Sequence, residues 1–203
     1  MFGSHAGEAP HVGMFDGKRA VVTGGSSGIG AGLARFLVEE GCDVALVARS
    51  ADRLATAAGE LRSVGGAHAV LEIAADVRNE DAVAGMAAQV ADAFDCVDIL
   101  VNSAGCGTWH TIDAMPPSEW RKVIDTNLTG TFLVTHAFLG GMIEAGTGHI
   151  LNISSVAGLN TAAATGVAST ISAPATANSG RPFRKLRVPS IGSTTQTRPA
   201  ESR

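Results

Sequence analysis

Thr23-Gly24-Gly25-Ser26-Ser27-Gly28-Ile29-Gly30 joins two segments of different hydrophobic period. The apolar run at 19–22 before it is typical of a strand, and the apolar residues between 29 and 37 recur at helical spacing. Glycines let the chain turn tightly and let a ligand approach the backbone. The first N–H groups of a helix have no partner inside it, and the helix dipole favours an anion there. The stretch therefore predicts a site for the phosphates of a dinucleotide, in preference to an ordinary glycine-rich loop.

Strand and helix patterns alternate along the chain after this turn. The predicted strands are 19–22, 43–48, 68–73, 97–101 and 149–154. Four helices are predicted. The first runs from the glycine turn to about Glu40, the second covers 51–62, and the third runs from a cap at Asn79 to Phe94. The last covers 118–144, as one helix or as two joined near Asp125. Such alternation implies parallel strands joined by right-handed crossovers. We predict an α/β fold, a Rossmann-type doubly wound parallel sheet in three αβα layers, with an incomplete C-terminal portion and the ligand at the carboxyl ends of the strands.

Composition narrows the classes of function. The 203 residues suggest one domain, and a hydrophobic content of 45% can bury a sizeable core. A net charge of −4 gives no reason to expect nucleic acid or an anionic membrane as a partner. The three cysteines fit no metal-ligand spacing, so no metal site is predicted, and their odd number suits a reducing cytoplasm. No run approaches the roughly 18 apolar residues that span a membrane, and the N-terminus lacks the pattern of a secretory leader.

Three regions of the chain differ in composition. Residues 1–13 lack apolar periodicity and are predicted to form a flexible tail before a dinucleotide-binding domain at 14–160. Residues 161–203 contain 17 Ser, Thr or Pro residues, and the chain after residue 144 carries six basic side chains and one acidic one. We predict a low-order basic tail there, because such a composition buries little apolar surface. A change of reading frame after about Gly158 explains this tail better than a divergent protein with a disordered end.

The spacing Thr23-Gly24-x-x-x-Gly28-x-Gly30 resembles the signature of the short-chain dehydrogenase/reductase family, in particular its 3-oxoacyl-ACP-reductase-like branch. Three later stretches match the family in the expected order, namely Asn102-Ser103-Ala104-Gly105, Asp125-Thr126-Asn127-Leu128-Thr129-Gly130 and 148–158. The resemblance covers about 14–158. It implies an oxidoreductase that transfers hydride between a nicotinamide and a ketone or secondary alcohol.

The resemblance also implies roles for single residues. Asp76, followed by Val77, would contact the adenine amino group, and the alternative is a turn Asp that caps the next helix. Ala104 and Gly105 would let the cofactor lie against the backbone, while Asn102 would brace the sheet. The predicted cofactor-binding residues are Thr23, Gly24, Ser26, Ser27, Gly28, Ile29, Gly30, Arg49, Asp76, Val77, Asn102, Ala104 and Gly105.

Two further residues are predicted to be catalytic. By resemblance, Ser155 would hydrogen-bond the substrate carbonyl, and Ser154 is the less suitable neighbour. Asn127 would bind a water and hold a proton relay in place. The alternative for Asn127 is a polar side chain on a solvated helix face.

The end of the second predicted strand bears on the choice of cofactor. Where an acidic residue would bind the ribose hydroxyls and favour NAD, this chain has Ala48 followed by Arg49. An Arg can bind a 2′-phosphate through several donors, and the alternative is a solvated surface Arg. We therefore predict a preference for NADP(H), with NAD(H) possible.

One part of the family pattern is absent. The family carries Tyr-x-x-x-Lys about a dozen residues after its serine, where the Tyr donates a proton and the Lys lowers the pKa of the Tyr. The corresponding window here is Thr165-Gly166-Val167-Ala168-Ser169-Thr170. The chain contains no Tyr, and its lysines are Lys18, Lys122 and Lys185.

Three functions follow from this pattern. The first is an NADP(H)-dependent oxidoreductase that is inactive in this form, with a small carbonyl compound or alcohol as its substrate and with the family's homo-oligomer interface lost. The second is a dinucleotide-binding module without chemistry. The third is an intact enzyme that uses another acid, for which His136 and His149 are the candidates.

Overall fold

The structure is a computed structural model that describes residues 13–64, 68–111 and 113–155, together with the backbone of 175–177. Its strands are β1 (Arg19–Thr23), β2 (Asp43–Ala48), β3 (Val70–Ala74), β4 (Ile99–Asn102), β5 (Gly148–Asn152) and β6 (Ala175–Ala177). Its helices are α1 (Gly28–Glu39), α2 (Ala51–Val64), α3 (Glu80–Ala93), α4 (Pro117–Ile124) and α5 (Gly130–Ala145), with a π-helical segment (Asp125–Thr129) between the last two. Apart from Gly13 and β6, the two predicted tails lie outside the described residues.

The strands form one sheet in the order β3-β2-β1-β4-β5-β6. The first five are parallel, and β1 lies at the centre, where Thr23 is opposite both Val47 of β2 and Asn102 of β4. The prediction of a doubly wound parallel sheet is therefore confirmed. β6 pairs antiparallel with β5, in a part of the chain where the sequence predicts no strand. Three residues are too few to show a strand period.

The core lies on both faces of this sheet. Helices α1 and α2 cover one face, on which Val22, Leu46 and Leu54 are fully or almost fully buried. Helices α3 and α5 cover the other, on which Met86 and Leu100 are fully buried. The near-continuous apolar runs of the central strands follow from this arrangement, because a strand covered on both faces has no solvated side.

Some observed bounds differ from the predicted ones. β4 begins at Ile99 instead of 97. Just before it, the Asp98 carboxylate accepts hydrogen bonds from the Arg19 N–H (3.1 Å) and the Lys18 ammonium (2.8 Å). The helical region predicted at 118–144 consists of α4 and α5, and the π-helical segment between them begins at Asp125, where the sequence predicts a junction.

One face of β5 is uncovered in the described part of the chain. Ile150 is buried against the α3 and α5 side, whereas His149 and Leu151, which point to the other face, are exposed. Helix α5 also exposes Phe132 (61%) and Ile143 (57%) on its outer side. None of the helices that the structure describes has the length and apolar character that crossing a membrane requires.

Candidate dinucleotide-binding site

A cavity of about 430 Å³ lies at the carboxyl edge of the sheet. Its volume falls within the range of about 300–1,000 Å³ that is usual for ligand sites. It is lined by Gly24, Ser26, Ser27, Val47, Ala48, Arg49, Ser50, Arg53, Ala75, Asp76, Val77, Ala104, Gly105 and Thr126. The chain leaves β1 toward β2 on one side and returns to β4 on the other, so the cavity occupies the switch point where doubly wound sheets bind ligands.

Two glycines let the turn after β1 pack against the loop after β4. Gly24 has φ +68°, and a Cβ there would lie 2.8 Å from the Ser103 carbonyl oxygen. A Cβ on Gly30 would lie 2.5 Å from the Gly24 carbonyl oxygen. Backbone atoms cannot move aside as a flexible side chain can. These two positions therefore require glycine for the conformation and packing of the turn.

Thr23 connects the same two loops from inside the sheet. It is 1% exposed, and its hydroxyl donates to the Val101 carbonyl (3.3 Å). The hydroxyl oxygen accepts from the N–H groups of Ser103 (3.1 Å) and Ala104 (3.2 Å). Thr23 thus fixes the backbone of the loop that carries Ala104 and Gly105 along the cavity.

The N-terminus of α1 differs from that of α3. In α3 the Asn79 side chain accepts from the Ala82 N–H (2.8 Å), and Glu80 and Asp81 supply negative charge to the first turn. In α1 the side chain of Ser27 forms no cap hydrogen bond, and the first turn holds no acidic residue. The N–H groups and the positive dipole end of α1 are therefore uncompensated where the helix meets the cavity, as an anion site requires.

Two cationic side chains, those of Arg49 and Arg53, also line the cavity. Within the described residues, neither the Arg49 nor the Arg53 guanidinium takes part in a hydrogen bond or an ion pair. The other described Lys and Arg side chains, except that of Arg121, are ion-paired. Ser50, between the two, accepts from the Arg53 N–H at the start of α2 (3.4 Å). This part of the cavity can therefore hold a phosphate.

The predicted adenine contact, Asp76, lies at the carboxyl end of β3 and is paired with Arg78. The guanidinium approaches both carboxylate oxygens, with the shortest contact at 2.6 Å, and the Arg78 N–H adds a bond of 3.0 Å. The Arg78 side chain holds the pKa of the Asp76 carboxyl below its usual range through these hydrogen bonds. Asp76 is therefore an anion with a fixed orientation at neutral pH.

Asn102 lies at the end of β4 and connects three elements. Its side-chain amide donates to the Asn152 amide oxygen of β5 (2.8 Å) and to the Thr135 hydroxyl of α5 (3.0 Å). Asn102 is 4% exposed, and its own Oδ1 has no hydrogen-bond partner among the residues that the structure describes. These contacts are those of a side chain that braces the sheet beneath the cavity.

Asn127 lies in the π-helical segment and bonds to the loop after β4. Its Oδ1 accepts from the Cys106 N–H (2.9 Å), and its Nδ2 donates to the Cys106 carbonyl (2.8 Å). The Asn127 carbonyl accepts from the Thr131 hydroxyl (2.9 Å). Such π-helical turns occur frequently at functional sites. Here the turn presents the Asn127 amide to the loop, while its predicted role in binding a water stays a prediction.

Ser155 follows β5 at the same edge of the sheet and is exposed. Because β5 pairs with β4, Ser155 and the loop that Asn127 holds extend from neighbouring strands. The described residues end here in this part of the chain, so the window at 165–170 and Lys185 lie outside them. Among the described lysines, Lys18 pairs with Asp98 at the other edge of the sheet, and Lys122 pairs with Glu119 on α4.

The cavity contains most of the predicted cofactor-binding residues and some that the sequence did not single out. Those predicted and present are Gly24, Ser26, Ser27, Arg49, Asp76, Val77, Ala104 and Gly105. Those predicted but outside the lining are Thr23, Gly28, Ile29, Gly30 and Asn102. Those missed include Ser50, Arg53 and Thr126. The spacing of four residues between Arg49 and Arg53 at a helix start could have indicated that both point to one site.

The two histidines considered as alternative acids lie away from this edge. His149 is at the start of β5, opposite Ile99 at the start of β4, and is therefore near the amino ends of the strands. His136 is exposed on α5 and stacks on Phe132, with ring centroids 5.6 Å apart. Neither lines the cavity.

Comparison with known proteins identifies relatives of this chain. A family model described as short chain dehydrogenase matches residues 18–170. A provisionally named ketoacyl reductase of Streptomyces coelicolor is 40% identical over 148 residues, which are 70% of this chain and 55% of that protein. The chain spans a little over half of the length of the curated relatives that it matches.

Solved structures with either nicotinamide cofactor resemble the described fold. A metagenomic short-chain oxidoreductase in complex with NADP is 40% identical, with a TM-score of 0.67 over 72% of this chain and 66% of that one. An NAD+-bound xylitol dehydrogenase is 32% identical, with a TM-score of 0.71 over 75% of this chain and 58% of that one.

Proposed function

The chain belongs to the short-chain dehydrogenase family, and from that premise we propose that it binds NADP(H) at the carboxyl edge of its sheet. We propose further that its ancestral reaction is hydride transfer between the nicotinamide and a ketone or secondary alcohol, and that this sequence does not carry the reaction out at a useful rate. One observation carries the proposal of binding. Ser27, the N-cap residue of the uncompensated α1 N-terminus, lines one cavity together with the unpaired Arg49 and Arg53.

The residues around the cavity fit this cofactor. The N–H groups at the start of α1 would hold the pyrophosphate, and Arg49 with Arg53 would hold the 2′-phosphate. Asp76 would accept from the adenine amino group. When bound, the cofactor supplies or accepts the hydride. The preference for NADP(H) is supported by the two unpaired guanidinium groups and by the absence of an acidic side chain at Ala48.

The catalytic part of the proposal concerns a proton. The Ser155 hydroxyl would donate a hydrogen bond to a carbonyl oxygen, and Asn127 would keep the loop after β4 in place. Neither side chain is an acid of suitable pKa, and the chain has no Tyr. Positioned acid–base catalysis contributes about 10²–10⁴-fold to rate, so its loss supports inactivity. In this form the chain would be a dinucleotide-binding module.

Arg49→Gln tests the cofactor preference, with Arg121→Gln as its matched control. Arg121 is another described Arg without an ion pair, and it does not line the cavity. A hydrogen bond to a charged group contributes roughly 1.5–3 kcal/mol, so we expect the wild-type chain to bind NADPH about 10- to 100-fold more tightly than NADH. Calorimetry should show that Arg49→Gln brings the ratio of NADPH to NADH affinity close to one and that Arg49→Asp reverses the preference. Arg121→Gln should leave the ratio unchanged. Equal binding of NADPH and NADH by the wild-type chain would contradict the preference.

A further inference from the structure

The π-helical segment contacts two of the loops that form the cavity. At its centre, the Asn127 amide bonds to the backbone N–H and carbonyl of Cys106, which directly follows Gly105 of the cavity lining. Just after its end, a Cβ on Gly130 would lie 2.7 Å from Cγ2 of Val77, which also lines the cavity. A shift of this segment would therefore move the cavity wall.

A threonine hydroxyl bonds back into the helix on either side of Asn127. The Thr126 hydroxyl donates to the Lys122 carbonyl (2.7 Å), and the Thr131 hydroxyl donates to the Asn127 carbonyl (2.9 Å). Such bonds to the fourth preceding residue often bend helices. Asn127 is thus held twice, at its backbone oxygen by Thr131 and at its side chain by the loop after β4.

We propose that Thr131 is a positioning residue for the dinucleotide site. Its hydroxyl fixes the backbone of Asn127, so that the Asn127 amide meets the backbone of Cys106 and holds the loop after β4 along the cavity. Thr131 is not in the cavity lining, so it acts through Asn127 and not on the ligand. The inference rests on the proposed binding of NADP(H), although the position of the loop can be measured without the cofactor.

The Cys106 thiol reports the position of this loop. Its side chain is half-buried, and its Sγ lies 3.7 Å from the Lys122 carbonyl oxygen. Release of the loop from Asn127 would expose the thiol and speed its alkylation by iodoacetamide, which peptide mass spectrometry measures. Cys42 is fully buried and serves as an internal reporter of unfolding.

Thr131→Val removes the hydroxyl and keeps the shape of the side chain. From the loss of one hydrogen bond, we expect the alkylation rate of Cys106 and the dissociation constant of NADPH each to rise about three- to tenfold. Thr131→Ser should stay within about twofold of the wild-type chain, because Ser keeps the hydroxyl that bonds back. The matched control is Thr56→Val, which removes the same kind of bond, to the Asp52 carbonyl (3.0 Å), from the regular helix α2. It should leave both quantities unchanged.

A second substitution tests whether Thr131 acts through Asn127. Asn127→Ala removes the bonds to Cys106 directly, so it should raise the alkylation rate by itself. In that background Thr131→Val should add no further increase, because substitutions in one network of contacts are not additive. An equal increase in both backgrounds would overturn the inference. So would an unchanged rate in Thr131→Val, or an equal rise in the labelling of Cys42.

Calorimetry with NADPH on the full chain separates this inference from the proposed function. An unchanged NADPH affinity in Thr131→Val would overturn the positioning role while leaving cofactor binding intact. A wild-type chain that binds no NADPH, in a set of variants with the expected alkylation rates, would refute the proposed function and still support the action of Thr131 on the loop.

Discussion

Replacing Thr23 by Val tests whether one buried hydroxyl holds the site's two loops together. Valine has a similar shape, so the change removes the hydroxyl without opening a large cavity. The N–H groups of Ser103 and Ala104 then lose their acceptor. An unsatisfied buried polar group costs roughly 1–3 kcal/mol. Two N–H groups bear this cost, but the backbone at 103–104 is only partly buried, which reduces the cost of each. We therefore expect the free energy of unfolding to fall by about 2–4 kcal/mol in total.

Urea denaturation followed by circular dichroism measures this change. With a slope of about 2 kcal/mol per molar urea, the midpoint should fall by about 1–2 M. Thr23→Ser is the matched control, since it keeps the hydroxyl and loses one methyl group, at a cost of about 1 kcal/mol. The affinity for NADPH should fall in Thr23→Val and persist in Thr23→Ser. The reasoning is refuted when the Val variant unfolds at the same urea concentration as the Ser variant.

Three further predictions concern thiols, solubility and turnover. Burial raises the pKa of the Cys42 thiol to about 12. At pH 8, iodoacetamide should therefore label Cys106 in the native chain but Cys42 only in urea, which mass spectrometry can measure. Phe132→Ser should reduce light scattering without lowering the urea midpoint, because the ring is 61% exposed; a lower midpoint would contradict this. The chain should not oxidise NADPH with a panel of ketones, whereas a chain rebuilt after Gly158 with Tyr-x-x-x-Lys and the remaining strands should. Turnover by the present chain that Ser155→Ala abolishes would point to an unidentified acid.

Much of the fold follows from local patterns in the sequence. The alternation of apolar strands with amphipathic helices predicts a sheet of parallel strands. Asn79 also caps α3 as predicted. The contacts just before β4 do not follow, because the Asp98 carboxylate bonds to Lys18 and Arg19, some 80 residues away in the chain. Sequence periodicity carries no information about such contacts.

The candidate site shows the same division between local and long-range information. The glycine turn and Arg49 can be recognised from the residues beside them. The bonds between Asn127 and the backbone of Cys106 join positions 21 residues apart. They depend on a π-helical turn that no residue pattern in the sequence predicts. The ion pair between Asp76 and Arg78 could not be predicted either, because a pair at i, i+2 in a turn has no helical or strand spacing.

Calorimetric titration of the purified chain with NADPH tests the central claim most directly. The structure leads us to expect saturable binding at one site per chain, about 10- to 100-fold tighter than the binding of NADH. Gly30→Ala, whose Cβ would lie 2.5 Å from the Gly24 carbonyl oxygen, should abolish that heat. The absence of any saturable heat from the folded wild-type chain with NADPH would contradict the account.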